Sequence, residues 1–172
     1  EYKGLLVVEN PAISSPGLAF LLATIVEYGE EGYLTYWQKL KENRVVVVND
    51  WNTAYYSNFS ASSGKGAQPM VVSYASSPAA EVIYATEPLT EAPTASIIGK
   101  NTCFRQIEFV GILKNTPHRD LAEKFIDYML SIPFQEDIPL NMFMFPVNKD
   151  AKLPEEFRRF VQIPDDPATL PY

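Results

Sequence analysis

Leu5-Leu6-Val7-Val8-Glu9-Asn10-Pro11-Ala12-Ile13-Ser14-Ser15-Pro16-Gly17 decides the fold class. Leu5–Val8 is a short apolar run ahead of polar and turn residues, which reads as a buried strand. Ser15 is suited to cap a helix and Pro16 to open it, because proline lacks the N–H that would go unpaired there. Leu18 to Tyr28 continues as a largely apolar helix that Gly29 ends, and Glu30–Lys41 follows as an amphipathic helix carrying Tyr33, Tyr36, Trp37 and Leu40. The same grammar returns downstream. Met70–Tyr74 reads as a strand, Ala75-Ser76-Ser77-Pro78 as a turn and cap, and Ala79–Tyr84 as a short helix.

Working outward, Val45–Val48 is a β-branched run that predicts a central strand. Asn49-Asp50 caps a predicted helix over Trp51–Phe59, and Ser60–Gln68 is a Ser/Gly-rich loop. Glu87–Lys100 reads as an extended connection with a short strand at Ala95–Ile98. Gln106–Leu113 reads as a strand. Asn115-Thr116-Pro117 caps an amphipathic helix to Leu130, with Leu121, Ala122, Phe125, Ile126 and Met129 on one face. Ser131-Ile132-Pro133 restarts a helix, and Leu153–Val161 forms a last one. Strands alternating with helices predict an α/β fold with a mostly parallel central sheet and helices on both faces.

Composition narrows function. The 172 residues carry 14 Lys+Arg against 21 Asp+Glu, a net charge of −7, which disfavours a nucleic-acid partner. One cysteine, Cys103, and one histidine, His118, leave no internal disulfide and no Cys/His metal cluster. The apolar stretch Gly17–Val26 is too short to span a bilayer. No charged-then-apolar leader opens the chain, and its abrupt start at Glu1 is that expected of a processed or cut chain.

The candidate site follows from topology. In a parallel sheet the loops after the strands share the carboxyl edge, where ligands bind. Ser14-Ser15 and Ser76-Ser77 open helices there, and helix N-termini offer free N–H groups to a phosphate or carboxylate. Either motif is also a common plain cap. Trp51 follows the Val45–Val48 strand and Tyr74 ends the next one, with Tyr55 and Tyr56 one helical turn beyond Trp51. These rings either fill core or face a cleft as a stacking surface for a cation, worth ~0.5–2 kcal/mol per well-placed ring. Net acidity suits a cationic ligand.

Catalytic patterns are weaker. Ser62-Ser63-Gly64-Lys65 matches Ser-x-x-Lys by letter but lies in a loop, and Gly64-Lys65-Gly66 lacks the Walker spacing. His118 has no evident nucleophile and reads as a solvated helix-start residue; Cys103 reads as a structural or surface thiol. A Ser-dependent hydrolase is therefore a minor alternative to a chain that is no enzyme and needs no cofactor.

Asn10–Leu18, Asn49–Tyr55, Val72–Ala79, Leu121–Ser131 and Phe145-Pro146-Val147, in that order, resemble the thiamine-binding proteins of bacterial and archaeal ABC importers. The resemblance covers about Leu5 to Phe157. It implies a type II periplasmic-binding-protein lobe that captures thiamine or a thiamine phosphate outside the cytoplasm, in the periplasm or tethered to the membrane of an archaeon or Gram-positive cell. It further implies delivery to an ABC permease. It places Trp51 and Tyr74 at ligand-sandwiching positions and Ser14-Ser15 at the serine-bearing helix end. Phe143 falls where the family has a tryptophan and Ala80 where it often has a tyrosine, so aromatic area is lost from the cage. Trp51, Tyr74, Ser14, Ser15, Ser76, Ser77, Tyr55 and Phe143 make up the expected site, without a metal. The family's chain is much longer. The resemblance implies that residues 1–105 form the second-lobe domain and 106–172 a return segment that packs partly on a first lobe. The surface so left would stay apolar or drive self-association. Same-fold alternatives are carriers of a ferric iron–anion complex or a polyamine.

Overall fold

A computed structural model describes residues 2–61, 65–164 and 167–170. They form two compact units. The first comprises Glu1–Ala75, Pro93–Gln106 and Gln162–Tyr172; the second comprises Ser76–Ala92 and Ile107–Val161.

The first unit is built on three parallel strands, β1 (Leu6–Glu9), β2 (Val46–Val48) and β3 (Met70–Val71), in the order β2-β1-β3. Val7 pairs with Val46 on one side and Val71 on the other, while Glu9 pairs with Val48. Val7 and Val8 are fully buried, as a parallel strand with two neighbours requires. The valine run is therefore not the central strand: β2 lies at an edge and Val47 is 53% exposed. Four β-branched residues report only that a segment fits a pleated surface, and position in the sheet is set by partners.

Helix α1 (Ser15–Glu42) departs from helical geometry at Gly29, whose φ of 72° and ψ of 169° only glycine adopts readily. Its two halves fold against each other. The Trp37 indole N–H donates to the Thr24 hydroxyl at 2.9 Å, Phe20 meets Trp37 edge-on at 5.6 Å, and Tyr28 stacks on Tyr36 at 4.5 Å. The two helices expected on either side of Gly29 are thus a hairpin. At its start, Gly17 is obligatory by contact: a Cβ there would collide with the Glu9 carbonyl oxygen and lie 3.1 Å from the Glu9 Cβ.

The segment after β2 forms a π-helical turn, Thr53–Asn58. Asp50 caps it, accepting from the Thr53 N–H and from the Thr53 hydroxyl, both at 2.8 Å. These bonds hold the Asp50 carboxyl below the usual carboxylate range. Ala54, Tyr55 and Phe59 join Val7, Val8 and Ala168 in the core of this unit.

The second unit contains α2 (Ser77–Ile83), α3 (Arg119–Met129), α4 (Ile132–Met142) and α5 (Glu155–Phe160), with α2 packed on α5 and α3 on α4. Phe157 and Pro139 are fully buried. Gln135 is its polar organiser: 4% exposed, it donates to the Met129 carbonyl and accepts from the N–H groups of Val147 and Asn148. Leu153–Val161, read as a helix, is helical over Glu155–Phe160.

Two expected strands do not form. Ala95–Ile98 and Gln106–Leu113 carry no regular secondary structure and make no ladder bonds. Among the described residues no strand lies alongside Gln106–Leu113, and a strand pattern without a partner leaves its backbone unpaired. Ile107, Phe109 and Leu113 are 60%, 89% and 83% exposed. Helix α3 has no buried residue, and together with the 110–113 segment it lines an apolar groove of about 240 Å³ whose walls include Val110, Ile112, Leu113, Phe125 and Ile126. No described helix is long and apolar enough to cross a membrane.

Candidate functional site

All three strands run the same way, so the segments that follow them emerge at one carboxyl edge. The chain continues from β1 through Asn10 to Ser14-Ser15, from β2 through Asp50 to Trp51, and from β3 through Ser73 to Tyr74. The Trp51 indole N–H donates to the Ser73 hydroxyl at 2.9 Å. Because β2 and β3 flank β1, this bond spans the carboxyl end of the central strand.

Aromatic rings gather on that bridge. Tyr55 stacks on Trp51 at 4.7 Å with 21° between planes, Tyr56 meets it edge-on at 5.5 Å, and Tyr74 lies 6.1 Å away, tilted by 52°. Their exposures differ. Tyr55 is 4% exposed and joins the core, Trp51 is half-buried, and Tyr74 and Tyr56 are 45% and 55% exposed. Tyr55 thus backs the indole, while Tyr74 and Tyr56 present ring area to solvent. Tyr55 and Tyr56 stand at 80° to each other, so they do not face one point as a matched pair.

Ser14 occupies the N-cap position of α1, one residue earlier than expected, and its hydroxyl makes no capping bond. Ser15 is exposed, and Pro16 and Gly17 are buried. Ser14 keeps its backbone engaged, its N–H donating to the Asn10 carbonyl and its carbonyl accepting from Leu18.

Ser76, Ser77 and Phe143 belong to the second unit. Ser76 is buried at the N-cap of α2 and Ser77 is the first residue of that short helix. Phe143 ends α4 at φ 56° and ψ 25°, a left-handed conformation uncommon outside glycine, asparagine and aspartate, and packs 5.3 Å from Tyr84. The Tyr84 hydroxyl donates to the Leu140 carbonyl at 3.4 Å.

Glu9 was not singled out in the sequence. It is the last residue of β1 and fully buried, and neither carboxyl oxygen has a hydrogen-bond partner. Burial pushes its carboxyl up to about 7. Its own backbone N–H, near but not hydrogen-bonded to it, pulls the other way, and the Asp50 charge adds to the rise. An acid closing an apolar run in a strand read as buried was the available signal.

The catalytic alternatives gain no geometry. His118 holds the N-cap position of α3 but caps nothing with its side chain. Burial pushes the Cys103 thiol up, against a hydrogen bond from Thr102. Ser62, Ser63 and Gly64 lie outside the described residues. Among the described residues no three His, Cys, Asp or Glu side chains stand together as a metal site.

The family model described as bacterial extracellular solute-binding protein matches residues 1–163. The chain belongs to that family. It is 32% identical over 157 residues to the thiamine-binding periplasmic protein of Salmonella typhimurium, covering 91% of this chain and 45% of that one. It is 33% identical over 153 residues to the thiamine-binding periplasmic protein of Brucella suis, covering 88% and 43%. A solved periplasmic thiamin binding protein superposes with a TM-score of 0.71 at 24% identity over 96% of this chain and 48% of its own, which carries the likeness in fold. The expected periplasmic-binding-protein α/β lobe is thus confirmed. The chain spans less than half the length of these curated relatives.

Proposed function

We propose that this chain is a solute-capturing part of an ABC importer, and that its ligand is thiamine or a thiamine phosphate. The observation that carries the reading is the aromatic group at the carboxyl edge: Trp51 fixed by Ser73, backed by Tyr55 and flanked by exposed Tyr74. A ring system carrying a positive charge gains stacking and ~0.5–2 kcal/mol of cation–π attraction per ring. At the start of α1, half-buried Ser14 and exposed Ser15 are the residues that suit a phosphate arm.

The two thiamine-binding relatives support this ligand. The chain acts by binding and hand-over to a membrane permease, without chemistry of its own, in the periplasm or on the outer face of a membrane. Enclosure of a small ligand usually needs two walls, so one lobe alone binds weakly. The apolar face of residues 107–113 and α3 either stays exposed or drives self-association, a reading supported by the exposure of Ile107, Phe109, Leu113 and Phe125.

Tryptophan fluorescence tests the ligand. The chain holds two tryptophans, and Trp37 is engaged within the α1 hairpin, so quenching by thiamine is expected to come from Trp51. Trp51→Ala is expected to abolish the response. Unchanged emission at millimolar thiamine would sink the reading.

A further inference from the structure

A buried carboxyl with two unpartnered oxygens is costly in a fold that offers it nothing. Glu9 ends the central strand with its backbone and Cβ against Gly17 in the first turn of α1, and at the same edge the Trp51–Ser73 bond joins the segments that follow the two flanking strands. We propose that Glu9 is the counter-charge of the aromatic site, releasing a proton when a cationic ligand docks over the carboxyl edge and retaining it when the site is empty. This rests on the ligand reading above and deepens it by making the site one for a cation, with occupancy linked to pH.

The surroundings support the assignment. Asp50 is the charged group acting on Glu9, and Thr53 keeps it ionised. The first turn of α1 holds no acidic residue, β2 and β3 are valine and methionine only, and the π-helical turn contributes Tyr55 and Tyr56 as its titratable groups. No lysine or arginine stands on any of these segments. Below about pH 7 an empty site therefore favours the neutral acid, since the carboxyl is pushed up to about 7. A cation arriving above it favours the carboxylate. The balance is at most one proton from Glu9 to solvent for each fixed positive charge bound, less as the empty site is already ionised, with no bond formed to the ligand. A negatively charged phosphate arm works against that release, so thiamine gains more from rising pH than its phosphates do.

Calorimetric titration of the chain with thiamine between pH 6 and 8.5, in two buffers of different ionisation enthalpy, measures the protons released. A fractional release is expected, largest near pH 6 to 7, with affinity rising about tenfold over the range for each pKa unit that the ligand takes from Glu9. Glu9→Gln should bind with no release and a flat pH profile. Asp50→Asn keeps a capping side chain and should move the release to lower pH, which serves if Glu9→Gln does not fold. Binding with no proton release, or release that persists in Glu9→Gln, overturns the proposal while leaving the ligand reading intact. No binding heat at millimolar thiamine overturns both.

Discussion

At the scale of single residues, Glu9 and Trp51 carry opposite lessons about the carboxyl edge. Trp51 is visible as a large ring directly after a strand, and its setting depends on one hydrogen bond to Ser73. Glu9 is an ordinary polar residue until the sheet closes over it. Its carboxyl rises from 4.5 when unfolded to about 7 when folded, so the native state holds the extra proton between those values. Its contribution to stability is complete below about pH 4.5 and is lost as pH climbs through 7. The loss is on the order of 3 kcal/mol. Glu9→Gln keeps the shape and removes the charge. Urea unfolding at pH 8 is expected to show the variant more stable by about 2–3 kcal/mol, with the difference vanishing near pH 4. An equal stability gain at both pH values would contradict the burial of an ionisable carboxyl.

Secondary elements show where local signals stop. The Gly29 break was legible because glycine ends an apolar helix, yet nothing local says that the two halves fold back through Trp37 and Thr24. Gly29→Ala places a Cβ in open space but in a backbone region close to glycine-only. It is expected to cost about 1–3 kcal/mol in chemical denaturation and to red-shift Trp37 emission. An unchanged midpoint would mean the turn tolerates other geometry. Asp50 as a cap was legible from its place just ahead of the helix predicted over Trp51–Phe59, whereas the π-helical form of the turn was not. The apolar pattern at Gln106–Leu113 predicts a strand that does not form, since a ladder needs two segments and the sequence of one cannot supply the other.

For the whole molecule, net charge and apolar exposure pull against each other. A charge of −7 keeps copies apart at low salt, while the 107–113 and α3 face gives them reason to associate. Sedimentation velocity is expected to show association that strengthens with concentration and with salt, and Phe109→Glu with Leu113→Lys is expected to leave monomer. A concentrated wild-type sample that sediments as monomer in high salt would refute the self-association. The same charge attracts a cation from a distance, so thiamine affinity is expected to fall as ionic strength rises.

The amino-acid sequence by itself determined the alternation of strand and helix, the Ser-Pro helix starts and the rings that follow the strands, because each is written in neighbouring residues whose propensities act locally. Tertiary structure alone decided that β1 is the middle strand, that Tyr55 is core while Tyr74 is exposed, and that Glu9 is sealed without a partner. Those are properties of neighbours brought together from distant positions: the Trp51–Ser73 bridge exists only once β2 and β3 have both paired with β1, and burial at the end of β1 raises the Glu9 carboxyl in a way its own sequence context does not contain.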